Sequence, residues 1–145
     1  VAILNYTTSI STEKTASEIQ KKLAMAGAQA VLCEYDEDGV MKSMSFRIGT
    51  QHGLVSFRLP ANIAGVYHSL ERDDKVPKRY KTSDQAAKVA WRILKDWIEA
   101  QLAIIEAGMA EMTEVFLPYA QDREGRTMYE VFKEGKLKMI TEGRS

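Results

Sequence analysis

The stretch VMKSMSFRIGTQHGLVSFRLP, residues 40–60, decides the fold. Apolar and polar residues alternate on either side of TQHG, the pattern of two half-buried antiparallel strands joined by a tight turn. If Gly49 opposes Leu54, then Ile48 faces Val55, Phe46 faces Phe57 and Met44 faces Leu59. All three apolar pairs then share one face. A slip of one residue would turn each of them toward solvent, so the pattern itself specifies the register. The opposite face receives Ser43, Ser45, Arg47, Ser56 and Arg58, with the two arginines as diagonal neighbours.

Upstream, AVLCEY followed by DEDG reads as another strand and a short turn, because Asp and Gly tolerate the left-handed backbone that such turns require. TEKTASEIQKKLAMAG places Ala16, Ile19, Leu23 and Ala26 on one helical face. Thr15 and Glu18 have capping-box spacing, Thr12 is an earlier candidate cap, and Gly27 is a natural terminator. AILNYTTSI at the start has the β-branched and aromatic content of a strand.

Downstream of Pro60, Ile63, Val66, Tyr67 and Leu70 have the spacing of a short amphipathic helix, and ERDDKVPKRYK is a charged loop. Thr82 and Gln85 form a second candidate capping box before the longest periodic segment. There Ala87, Trp91, Leu94, Ile98, Leu102, Ile105 and Met109 form one apolar stripe, beside a second of Ala86, Ala90, Ile93, Trp97, Ala100 and Ile104. A helix apolar over so much of its circumference needs more than one layer to cover it. The sheet and a neighbouring helix, or another subunit, would serve. Pro118 ends or kinks a further helical stretch, Thr127 and Glu130 form a third capping box, and the tail 136–145 is expected to fray. The order β-α-β-β-β-α-α-α predicts an α+β fold, an antiparallel sheet of three to four strands packed on helices. One domain spans 1–145, with the sheet in 1–60 and a helical part in 61–135.

The 145 residues suffice for one core, and 45% apolar with 28% charged residues is ordinary for a globular chain. Cys33 is the single cysteine, which excludes an internal disulfide and paired-cysteine zinc sites. With no charged-then-apolar leader and no apolar run of membrane-spanning length, a cytoplasmic protein without a membrane partner is expected. Net charge is zero, yet its distribution is uneven. Residues 70–95 hold eight basic and four acidic groups, whereas residues 96–145 hold six and ten. Such asymmetry can create a local positive field.

Catalytic constellations are missing from the sequence. There is no glycine-rich phosphate loop, and neither His52 nor His68 has a partner at ligand spacing. The acidic run Asp36–Asp38 reads as turn chemistry rather than a calcium loop. No catalytic residue, metal ligand or cofactor is expected. The cationic segment remains. Lys75, Lys78, Arg79 and Lys81 precede a helix N-terminus, whose unpaired amides favour anions, and Lys88, Arg92 and Lys95 continue along the polar face of that helix. Tyr80 could stack on a base, and Arg47 with Arg58 could extend the track. Solubility alone also demands lysine and arginine on a polar helix face.

The element order together with KTSDQAAKVAWRIL resembles double-stranded RNA-binding domains over roughly residues 12–95. With a strand in front, the order also resembles the core of single-strand annealing proteins that phages use to pair complementary DNA. NYTT, AAKVAWRILKDWIEAQLA and EVFLPYA are similar to a family of small proteins of phages and prophages from Gram-positive bacteria. These resemblances imply a phage-encoded, non-enzymatic protein in the bacterial host cytoplasm. It would bind single-stranded DNA or a duplex backbone with low sequence specificity. The alternative is an interaction protein that blocks a host defence protein or sequesters a small signal. A homo-oligomer is expected under both.

Overall fold

The computed structural model describes residues 2–135 as an α+β fold. A helix α1 (Thr12–Met25) leads into three strands, β1 (Ala30–Tyr35), β2 (Met41–Thr50) and β3 (Gly53–Pro60). Helices α2 (Ile63–Arg72), α3 (Ser83–Glu106), α4 (Met112–Phe116) and α5 (Met128–Lys133) follow. The sheet is antiparallel in the order β1-β2-β3.

The β2–β3 register is the one that alternation specifies: Met44 faces Leu59, Phe46 faces Phe57, Ile48 faces Val55 and Gly49 faces Leu54. Met44, Phe46, Ile48, Phe57 and Leu59 are all buried, and Phe46 stacks on Phe57 with centroids 5.2 Å apart. Each such side chain contributes about 1.5–3 kcal/mol by leaving water. β1 joins the other side of β2, with Ala30 opposite Arg47 and a constant register as far as Glu34 opposite Ser43. The register then shifts, and Tyr35 lies opposite Met41. In the following turn the Asp36 carboxylate accepts from the amides of Asp38 and Val40, and Gly39 takes the left-handed backbone that closes it.

Helices cover the apolar face of the sheet. α1 and α3 run parallel there, since Glu18 meets Arg92 and Lys22 meets Glu99 further along both helices. Ile19 and Leu23 of α1, Trp91 and Ile98 of α3 and Phe116 of α4 complete the core with the sheet residues. Trp91 is fully buried, and its indole N–H donates to the Met41 carbonyl at 3.1 Å. Trp97 is half-buried, edge-on to Phe116 and Tyr119. The wide apolar surface of α3 is therefore met within the chain by the sheet, α1, α2 and α4. A second cluster forms where Leu70, Val76 and Ala86 pack with Ile3, Tyr6, Tyr67 and Tyr80.

Three local expectations change. Residues 2–10 form a turn and extended coil, not a strand. Asn5 adopts a positive φ of 66°, Thr8 N–H bonds back to Asn5 at 3.0 Å, and Ile3 and Tyr6 pack on the second cluster instead of pairing with a sheet edge. The α1 cap is Ser11, whose hydroxyl accepts from Lys14 N–H, one residue before the earliest candidate. Thr82 does cap α3, but the Gln85 side chain does not return to close a box. Its amide donates to the carbonyls of Tyr6 and Thr8 at 2.8 and 2.9 Å and straps the N-terminal segment onto α3. The third box, Thr127 with Glu130, forms in full. The tail 136–145 lies outside the described residues.

Candidate nucleic-acid interface

The connector between α2 and α3 is held from beneath. After α2 ends at Arg72, the Asp73 carboxylate accepts from Lys75 N–H at 2.9 Å and its carbonyl from Val76 N–H at 3.1 Å. That turn drives Val76 into the second cluster. Pro77 then precedes a single 3₁₀ turn, Lys78–Tyr80, whose tyrosine packs edge-on against Tyr6 at 5.6 Å. Val76 and Tyr80 serve as anchors. The chain between them presents Lys78 and Arg79 to solvent, Lys75 is exposed just before Val76, and Arg72, the last residue of α2, is exposed as well.

Tyr80 is not a free stacking platform. Tyr6 takes one side of its environment, and the Arg79 guanidinium lies 4.7 Å above its ring centroid. Lys81 donates to the Glu71 carbonyl at 3.1 Å and so closes the connector on itself. Phosphate contact by this segment would come from the outward cations.

The cations of α3 are committed within the fold. Lys88 pairs with Asp84 at 3.3 Å. Arg92 donates to Glu18 at 2.7 Å and to the buried Thr15 hydroxyl at 3.3 Å. Lys95 reaches Glu99 at 2.9 Å, and Lys22 of α1 reaches the same carboxylate at 3.2 Å. The Lys95 hydrogen bond, aided by Lys22 and opposed by partial burial, holds the Glu99 carboxyl below its ordinary range. Arg92 and Lys95 have side chains only 15% and 13% exposed. These residues join α1 to α3 and offer little charge to a ligand.

The sheet arginines lie elsewhere. Arg47 and Arg58 project from the sheet face opposite α1, α3 and α4, so the sheet separates them from the connector. Arg58 is occupied by the Gly125 carbonyl at 2.9 Å and by Glu130 at 2.7 Å. A backbone hydrogen bond from Thr127, with Arg58 a further cause, holds the Glu130 carboxyl low. Arg47 is exposed and forms no ion pair among the described residues.

Of the ten residues marked from sequence, Lys75, Lys78 and Arg79 are exposed along one connector and form no ion pair among the described residues, Tyr80 and Lys81 of the same segment are held inward, and the rest are dispersed. Arg72 is likewise exposed and without an ion pair among the described residues. The sequence signal for it was contiguity, three positions before Lys75 across Asp73 and Asp74.

Among the described residues no group of three or more His, Cys, Asp or Glu side chains is placed to hold a metal ion, and no helix is long and apolar enough to cross a membrane. His52 and His68 are exposed, while Cys33 is half-buried with the Gln20 amide 3.3 Å from its sulfur. Comparison with protein-family models, curated proteins and solved structures finds no match, so those comparisons add nothing to the resemblances noted from sequence.

Proposed function

We propose that this protein is a non-enzymatic binder of nucleic-acid backbone, acting through Arg72, Lys75, Lys78 and Arg79. One observation carries the proposal. These four cations stand exposed within residues 72–79, from the end of α2 through the 3₁₀ turn, and form no ion pair among the described residues, whereas every marked cation of α3 is paired. The acids of the same stretch, Glu71, Asp73 and Asp74, form no ion pair with these cations among the described residues; Asp73 accepts from the Lys75 amide and Glu71 from the Tyr67 hydroxyl at 3.2 Å. Phosphate is the natural partner of such a group. The contacts carry no base readout, so binding is weakly sequence-dependent and strongly salt-dependent.

Titration of single-stranded DNA, duplex DNA and duplex RNA over a range of salt tests this. Four neutralised phosphates give a slope of log affinity against log salt of about −3 for single strands and about −3.6 for duplex. Lys78→Ala with Arg79→Ala should roughly halve that slope and lower stability by no more than about 1 kcal/mol, the contribution of the exposed Arg79–Tyr80 contact. No binding at low salt, or a slope indifferent to the double variant, overturns the proposal.

A further inference from the structure

The two edges of the sheet are treated differently. The outer edge of β3 is covered, because Ala120 bridges Phe57 and Gln121 N–H donates to the Ser56 carbonyl at 2.8 Å. The outer edge of β1 is bare of described residues. Among the described residues, no hydrogen bond from outside the sheet reaches the backbone of residues 30–34. Edge strands normally carry a proline, a lysine or an inward-pointing charge that discourages pairing. β1 has the sequence AVLCEY, with one outward carboxylate, and leaves Leu32 60% and Tyr35 54% exposed.

We infer that β1 pairs antiparallel with β1 of a second copy of this chain, making a continuous six-stranded sheet with its two-fold axis at Leu32. Geometry restricts the register. Alternate residues of β1 spend their N–H and C=O on β2, so only residues of the other parity turn theirs outward. Self-pairing must therefore match residues of equal parity, and the axis passes through a residue rather than between two. The regular ladder runs from Ala30 to Glu34, since the register shifts at Tyr35, and its central residue is Leu32.

Charge complementarity supports a second copy as the occupant. With the axis at Leu32, the two Leu32 side chains meet on the outer face and Glu34 of the second copy lies beside Ala30. Ala30 in turn lies opposite Arg47 on β2. Glu34 of the second copy, Ala30 and Arg47 thus form one row across three strands. Adjacent strands are about 4.8 Å apart, so the two charged residues start about 9.6 Å apart with only an alanine methyl between them, a gap that Arg and Glu side chains close. The row occurs twice by symmetry. It uses an exposed Arg47 that has no ion pair among the described residues and a Glu34 whose described partner is the Ser43 hydroxyl at 3.0 Å. Moving the axis to Cys33 would set Glu34 against Leu32. Moving it to Val31 would carry Glu34 beyond the start of the strand.

Sedimentation velocity on the full chain, from low to high micromolar concentration, is the first test, and a concentration-dependent dimer is expected. Glu34→Arg and Arg47→Glu should each weaken association by about tenfold or more, and the two together should restore it, with circular dichroism confirming an unchanged fold. In a Cys33→Ser background, Leu32→Cys should form a disulfide-linked dimer on mild oxidation, because residues paired on the axis have Cα atoms about 4.5–5.5 Å apart. Ala30→Cys should not. A monomer at every concentration, a dimer indifferent to both charge reversals, or cross-linking at residue 30 in place of 32 would each overturn the inference. None of these outcomes depends on the connector, so failure here and failure of the nucleic-acid proposal are separable.

Discussion

Replacing Arg92 with Met tests whether the cations of α3 belong to the fold or to a ligand. The substitution keeps the aliphatic stem packed and removes the charge. What is lost is a charge-assisted hydrogen bond of 2.7 Å to Glu18 and a longer one to Thr15. A hydrogen bond to a charged group contributes about 1.5–3 kcal/mol. Glu18 is 33% exposed and regains water when its partner leaves, which places the expected loss near the lower end, about 1.5 kcal/mol. For a chain of this length that corresponds to a fall in Tm of about 3–6 °C. Urea unfolding followed by tryptophan fluorescence should show a lower midpoint with an unchanged m-value, and oligonucleotide affinity should stay the same. The connector variant Lys78→Ala with Arg79→Ala should behave in the opposite way. If Arg92→Met leaves stability within about 0.5 kcal/mol of the parent and weakens oligonucleotide binding as the connector variant does, Arg92 is a ligand contact and the ion-pair reasoning is wrong.

Trp91→Phe should cost about 2–4 kcal/mol in urea unfolding, because it opens a cavity in the core and leaves the Met41 carbonyl without the indole donor. A loss below about 1 kcal/mol would mean that the core relaxes around the smaller ring or that water replaces the donor. The Glu99 carboxyl, held low by Lys95 and Lys22, stabilises the folded state above the ordinary glutamate value of 4.5, and this contribution is lost as pH falls through the lower folded value. Glu99→Gln should therefore lower the unfolding free energy at neutral pH by up to about 1 kcal/mol, and differ little from the parent well below pH 4.5. A difference that stays constant with pH would assign the effect to packing.

Periodicity made the sheet legible because it is a tertiary statement in local form. An alternation that matches across a turn of two residues names the partner of every core side chain from Met44 to Leu59, and burial enforces it. The N-terminal segment shows where such inference stops. Ile3 and Tyr6 have strand-like composition, but they satisfy it by packing on Leu70 and Val76, and the local backbone is dictated by a glutamine 79 positions away from Tyr6. Composition reports that apolar area must be buried. It does not report against what. Gln85 illustrates the same point from the other side, since capping-box spacing marks a side chain able to reach the helix start but cannot say whether a distant carbonyl competes for it.

The cationic site was legible only in part for a related physical reason. A lysine or arginine on a helix face has two kinds of partner, an acid of the same protein or an anion from outside, and both leave the same pattern in the sequence. Spacing resolves some cases. Asp84 with Lys88 and Lys95 with Glu99 are four apart, so a local pair competes with any ligand from the outset. Arg92 has no such local signature, because Glu18 reaches it only once α1 lies parallel to α3 on the sheet. The connector escapes this competition, since a chain pinned inward at Val76 and Tyr80 must turn the side chains between them toward water. Long flexible cations that face water and form no ion pair among the described residues keep their charge available, and for that reason we assign the proposed phosphate contact to the connector and not to the helix.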